Sequence, residues 1–235
     1  MSERGDYPAG VPCWVEALCP NAVEAFYAGV FGWTFDDAGV ARLDGRPVAG
    51  LRVNDLAAWA TYVRVVSVAE AVERVGGALL GPADGVAVLQ DPAGAAIGVR
   101  ESAGAELVNE PGAWTMSSLH TTDTDGAIAW YGRVFGWQAE PLGPLTVFRL
   151  PGYAGEPGQM IPPDTFAVMA PPDPDIPTHW SVGFRVTDAD ATAARARELG
   201  GSVLMGPVEV PGLRSAVLLD PNGAAFTVNA VTGDA

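Results

Sequence analysis

Short apolar runs recur along the chain at two spacings. Residues 12–18, PCWVEAL, form a compact run of strand length, and Val23, Phe26, Tyr27 and Val30 follow at helical spacing. Asn21 is placed to cap that helix, and Gly32 to end it. Strand-like segments then fall near 33–37, 39–44 and 47–53, separated by DDAG and DGRP turns. The order begins again with a strand at 59–66, a helix over about 68–75 closed by Gly76-Gly77, and strands near 78–81, 86–90 and 95–101. This is a βαβββ pattern, read twice.

The next hundred residues repeat it. A strand at 115–122 leads to a helix from about Asp125, then to strands near 137–140, 145–150 and 158–161. A strand at 179–187 leads to a helix capped by Asp188 or Asp190, to Gly200-Gly201, and to strands near 202–205, 214–219 and 224–230. Two phrases recur almost literally. YAGVFGW at 27–33 returns as YGRVFGW at 131–137, and DPAGAA at 91–96 returns as DPNGAA at 220–225. The chain is therefore a tandem duplication, with one domain over 8–103, a linker over 104–113 and a second domain over 114–235. The proline-rich stretch 162–178 reads either as a stiff surface crossover or as a binding loop.

Composition narrows the chemistry. The net charge of −15 repels phosphate backbones and argues against nucleic acid. All thirteen basic residues are arginines, so lysine Schiff-base chemistry is excluded. No apolar run approaches the ~20 residues that span a bilayer, and the first residues lack an apolar signal core. A cytoplasmic protein, monomeric or homodimeric and without membrane partners, is expected. Cys13 and Cys19 lie six apart on one strand, roughly 20 Å in extended geometry, so they are expected as buried thiols. There is no P-loop, GxGxxG, GxSxG or CxxC.

The FYAGVFGW and WYGRVFGW phrases, with DPAG and DPNG before a last strand, resemble the vicinal oxygen chelate superfamily. That group includes glyoxalase I, bleomycin- and fosfomycin-resistance proteins and extradiol dioxygenases. The resemblance covers about residues 11–231 and implies an α+β fold. Four βαβββ modules would form two tandem glyoxalase-like domains, each a curved mixed sheet around a cavity.

The resemblance also implies where a site lies. The 104-residue offset pairs Glu16 with His120, and Trp59 pairs with Trp180, so His179 matches Ala58. Extradiol dioxygenases carry two histidine ligands at positions like 120 and 179. The only two histidines of the chain thus suit a divalent metal (Fe, Mn, Ni or Zn) or act as a catalytic acid–base pair. The superfamily's usual third ligand is a glutamate seven residues after the DPxG aspartate. Here those positions are Thr227 and Gly98, so a site without any cofactor is expected, with a divalent metal at His120 and His179 as the alternative; Asn229 and Gln159 offer only neutral oxygens. Trp14, Glu16, Tyr62 and Arg100 are expected to line the first cavity, with Arg100 holding Glu16. Ser118, Trp180, Thr227 and Asn229 are expected to line the second. Trp33 and Trp137 belong to the repeated phrase and read as packing, whereas Trp59 and Trp114 lie near the cavity strands.

Two functions fit these residues. One is binding of an aromatic or drug-like metabolite, as in self-resistance or natural-product biosynthesis. The other is an isomerase, lyase or oxygenase that uses His120 and His179 on a small oxygenated substrate.

Overall fold

A computed structural model describes residues 6–83, 85–155 and 164–232. The first module runs β1 (Pro12–Cys19), α1 (Glu24–Phe31), β2 (Thr34–Phe35), β3 (Val40–Leu43) and β4 (Arg46–Val53). The second runs β5 (Ala58–Arg64), α2 (Val68–Val75), β6 (Leu80–Ala83), β7 (Val86–Gln90) and β8 (Ala96–Arg100). The third comprises β9 (Trp114–His120), α3 (Thr124–Phe135), β10 (Gln138–Leu142), β11 (Leu145–Arg149) and β12 (Thr165–Met169). The fourth comprises β13 (His179–Val186), α4 (Ala189–Glu198), β14 (Ser202–Val210), β15 (Leu213–Leu219) and β16 (Ala225–Val231).

Each pair of modules makes one open eight-stranded mixed sheet, ordered β2-β3-β4-β1-β5-β8-β7-β6 in the first half and β10-β11-β12-β9-β13-β16-β15-β14 in the second. Strand alternation gives each sheet two unlike faces. On one face, Val15, Thr61, Leu119, Val182, Phe184 and Phe226 are buried. These inner faces meet at the centre of the molecule, where the Thr61 and Ser117 hydroxyls lie 2.7 Å apart and Trp59 packs on Phe184. The helices fill the flanks in cross-domain pairs, α1 with α4 and α2 with α3. The other, concave faces therefore look away from one another, and the halves keep two separate faces.

The repeated phrases are the device that joins the halves. Trp59 Nε1 donates to Tyr27 Oη at 3.0 Å, and Tyr27 Oη donates to Asp220 Oδ2 of the other half at 3.0 Å. The mirror arrangement runs from Trp180 to Tyr131 at 2.7 Å and from Tyr131 to Asp91 at 3.1 Å. The second oxygen of each aspartate closes its own turn, accepting from the amides of Ala93 and Ala95 or of Asn222 and Ala224. The glycines of those turns, Gly94 and Gly223, stand at φ 103° and 94°, which only glycine adopts freely. Trp33 Nε1 donates to Gly112 O at 2.7 Å and Trp137 Nε1 to Gly10 O at 2.5 Å, each just before the other half's first strand. So YxxVFGW and DPxG carry structure rather than chemistry.

One local expectation changes and another is narrowed. Asn21 does not cap α1; Val23 occupies that position without a side-chain bond. Asn21 instead meets Asn222, accepting on its carbonyl at 2.9 Å and donating its amide at 3.1 Å. Of the two candidate caps for α4, Asp188 accepts from Ala191 N at 2.9 Å, while Asp190 pairs with Arg214. The strand expected at 158–161 lies in the segment outside the described residues, and the strand that pairs with β9 is Thr165–Met169. It occupies the start of the stretch read as an irregular loop. Cys13 and Cys19 are buried and not joined in a disulfide, as expected.

Candidate functional site

Strand register sets which residues of the two halves correspond. Trp59 and Trp180 make the same bond to the equivalent tyrosines, so β5 and β13 align on them. Ala60 then matches Ser181, and their partners across the antiparallel ladder are Glu16 and Ser118. Ala58 matches His179, and their partners are Leu18 and His120. The residue equivalent to Glu16 is therefore Ser118, and His120 corresponds to Leu18. The 104-residue offset holds in the helices but is 102 on the first strands, because the second half has two more residues between strand and helix. A shift of two keeps every side chain on its face but changes its depth.

The first concave face is filled by its own side chains. Trp14 is 6%, Glu16 8% and Tyr62 2% exposed. Glu16 forms an ion pair with Arg52 at 3.0 Å and accepts from Tyr62 Oη at 2.8 Å. Burial, then the charge of Glu16, raises the Tyr62 phenol well above its ordinary pKa, so it stays a donor. Arg100 does not hold Glu16; its guanidinium lies 4.8 Å from the Trp14 ring centroid and donates to Ser102. Burial is the largest cause lowering the pKa of Arg100. At the position of the superfamily's carboxylate, Gly98 pairs with Tyr62. A Cβ there would lie 2.2 Å from the Tyr62 ring, so the glycine is what lets the ring lie flat across the strands. Trp14, Glu16 and Tyr62 thus form a plug, not the wall of an open cavity.

The second concave face carries polar Ser118, Thr227 and Asn229, with Met116 and Gly183, at the same places. Met116 stands for Trp14, Ser118 for Glu16, Gly183 for Tyr62, Thr227 for Gly98 and Asn229 for Arg100. Met116, Ser118, Ser181, Thr227 and Asn229 are all half-buried, giving an open polar trough. Asn229 Oδ1 accepts from Ser215 Oγ at 2.9 Å. Trp180, expected here, points to the opposite face and is buried against Tyr131. Trp59 does the same against Tyr27, and Trp114 is buried with Nε1 on Ser117.

His120 and His179 stand directly opposite each other at one end of the trough. Their rings stack with centroids 4.7 Å apart and planes 7° from parallel. His179 Nδ1 lies 2.7 Å from Pro177 O, which requires a proton on Nδ1. His120 Nε2 lies 3.2 Å from Ser181 Oγ, which donates to Ser118 O at 3.3 Å. His120 therefore donates from Nε2 and keeps a lone pair on Nδ1. Burial, then the neighbouring His179, lowers the His120 pKa to about 4, against a smaller opposing pull from Asp173. His120 is therefore neutral at neutral pH.

The donor set does not complete a metal site of the two-histidine, one-carboxylate kind. Thr227 pairs with Gly183, four residues along β13 from His179, or roughly 13 Å at strand spacing. No carboxylate joins the two imidazoles, and no group of three His, Cys, Asp or Glu side chains converges anywhere among the described residues. Gln159, considered as a neutral ligand, lies outside the described residues.

Paired βαβββ modules whose open sheets present concave faces define the vicinal oxygen chelate class. The glyoxalase-like domain family matches residues 114–229. CFP32 of Mycobacterium tuberculosis, provisionally named a glyoxylase, is 35% identical over 97% of both chains. The anthracycline biosynthesis proteins DauV of Streptomyces sp. strain C5 and DnrV of Streptomyces peucetius are 31% and 30% identical over 94% of both chains. The chain belongs to the glyoxalase-like family of this class. Among solved structures, the homoprotocatechuate 2,3-dioxygenase of Arthrobacter globiformis superposes with TM-score 0.61 at 16% identity, covering 100% of this chain and 84% of that one. The Mn(II)-bound glyoxalase of Novosphingobium aromaticivorans gives 0.59 at 16% identity, covering 94% and 82%. These likenesses support the fold alone. No helix among the described residues is long and apolar enough to cross a membrane.

Proposed function

We propose that the protein binds a flat, oxygenated aromatic small molecule in the trough of its second half, within natural-product biosynthesis. The observation that carries this reading is the exchange of a self-filling set, Trp14, Glu16, Tyr62 and Arg100, for Met116, Ser118, Gly183 and Asn229 at equivalent places. Short hydroxyl and amide groups on a half-buried face suit the carbonyl and phenol oxygens of such a ligand, and the stacked imidazoles offer a planar edge. The anthracycline biosynthesis relatives direct the choice of aromatic polyketides as the ligand class.

Calorimetric titration with a hydroxyanthraquinone tests the reading. Saturable binding that is lost in Ser181→Trp and kept in Ala60→Trp, its first-half equivalent, is expected. Equal binding by both variants, or none by the wild type, would overturn it.

A second reading is favoured by the His120–Ser181 contact and the low pKa of His120. In it, neutral His120 accepts a proton from a bound phenol or activated C–H during an isomerase- or lyase-type reaction. Turnover of the bound compound that disappears in His120→Gln while binding remains would support it; binding with no chemical change would leave the protein a binder.

A further inference from the structure

The two helix pairs on the flanks are built alike but finished differently. Arg195 of α4 reaches Gly29 O of α1 at 3.4 Å, and Arg74 of α2 reaches Val134 O of α3 at 2.8 Å. In the α1–α4 pair the gap is shut. A Cβ on Gly29 would fall 2.5 Å from Leu199 Cδ1, so the leucine occupies the space the glycine leaves. In the α2–α3 pair the residue equivalent to Gly29 is Arg133, and α2 ends at Val75, eight residues long against ten for α4. Val75 precedes Gly76-Gly77 as Leu199 precedes Gly200-Gly201, but it does not line this junction, and a cleft of about 370 Å³ remains between the halves.

The cleft has an apolar floor and a basic rim. Val65, Ala71, Val134 and Phe135 line it, with Val66 at its mouth 80% exposed. The exposed Arg133 side chain lies at the rim and makes no ion pair or hydrogen bond with any described residue. Arg74 beside it spends one nitrogen on Val134 O and keeps the rest of its fork. Glu70 is the one acidic residue in the lining. The first turn of α2 is already satisfied, with Val68 N on Glu101 and Glu70 N on Ser67, so the arginines supply the positive field. Two arginines beside one glutamate are unusual for a chain of net charge −15.

We propose that the α2–α3 cleft is a second ligand site, separate from the trough, for a small monocarboxylate on a compact apolar body. The carboxylate would sit in the forks of Arg133 and Arg74, and the body on Ala71 and Phe135. Charge-assisted, bidentate recognition of this kind is what a free guanidinium offers.

Isothermal titration with benzoate tests the proposal, with benzyl alcohol as the uncharged control. Saturable benzoate binding is expected, weakened about tenfold or more in Arg133→Gln, the loss that one charge-assisted hydrogen bond implies. Val66→Trp, at an exposed position, should block the mouth without disturbing the core. Benzyl alcohol binding as tightly as benzoate, or benzoate binding unchanged in both variants, would overturn the proposal. So would the absence of saturable binding. Loss of benzoate binding in Ser181→Trp would move it to the trough and overturn it equally.

Discussion

At the residue scale, the second half's face is governed by the neutral imidazole of His120. His120 has its pKa lowered from 6.5 to about 4, chiefly by burial. Folding therefore favours its neutral form. Above pH 6.5 this costs nothing; as pH falls from 6.5 toward 4 the unfolded chain takes up a proton that the folded chain refuses, and stability is lost. A histidine-detected NMR titration should give His120 a midpoint near 4, and denaturant unfolding of His120→Gln should lose less stability between pH 7 and pH 4.5 than the wild type. A His120 midpoint above 6 would contradict the buried geometry. The tyrosines of the repeated phrase make a second test. Tyr27→Phe removes the donor to Asp220 and the acceptor for Trp59, both buried. Leaving them unpaired should cost about 1–3 kcal/mol, read as a lower urea midpoint; an unchanged midpoint would deny the bond its role. The types of these residues were legible in the sequence. Their roles were not, because the hydroxyl of Tyr27 reaches 193 positions along the chain.

At the element scale, local pattern located the β1, α1 and β5 to α2 segments to within about a residue or two, because compact apolar runs and αL glycines at Gly32 and Gly76 mark them. It missed β12, since TFAVM lies within the proline-rich stretch 162–178 and carries no alternation; it is buried on both faces. It also misjudged depth. Aligning helices gives an offset of 104, but only the ladder shows that Glu16 sits level with Ser118. Facing was lost at Trp180 for the same reason: one step along β13 moves a side chain from the trough to the core. Gly98 and Thr227 make the contrast testable. Gly98→Val would drive a side chain into the Tyr62 ring and should destabilise by about 1–3 kcal/mol. Thr227→Val, on the half-buried open face, should fold with nearly wild-type stability. Equal effects would contradict the plugged-versus-open distinction.

At the scale of the whole molecule, duplication has given one structure with two unlike faces. Reciprocal tyrosine–aspartate bonds tie each half to the other, so the halves should unfold together. Calorimetry should show one transition, and two well-separated ones would mean the joint is weak. The tandem architecture was readable from the repeated phrases, and the second half was correctly read as the place where the histidines gather. What the sequence could not show is that the first half fills its own concave face, since that depends on Tyr62 lying over Gly98 in a neighbouring strand. The claim that only the second half receives the main ligand is tested most directly by amide chemical-shift mapping of a hydroxyanthraquinone complex. The account predicts saturable shifts on β9, β13 and β16, around Ser118, Ser181 and Thr227, at one ligand per chain. Shifts centred on β1, β5 and β8, around Trp14, Tyr62 and Arg100, would contradict it.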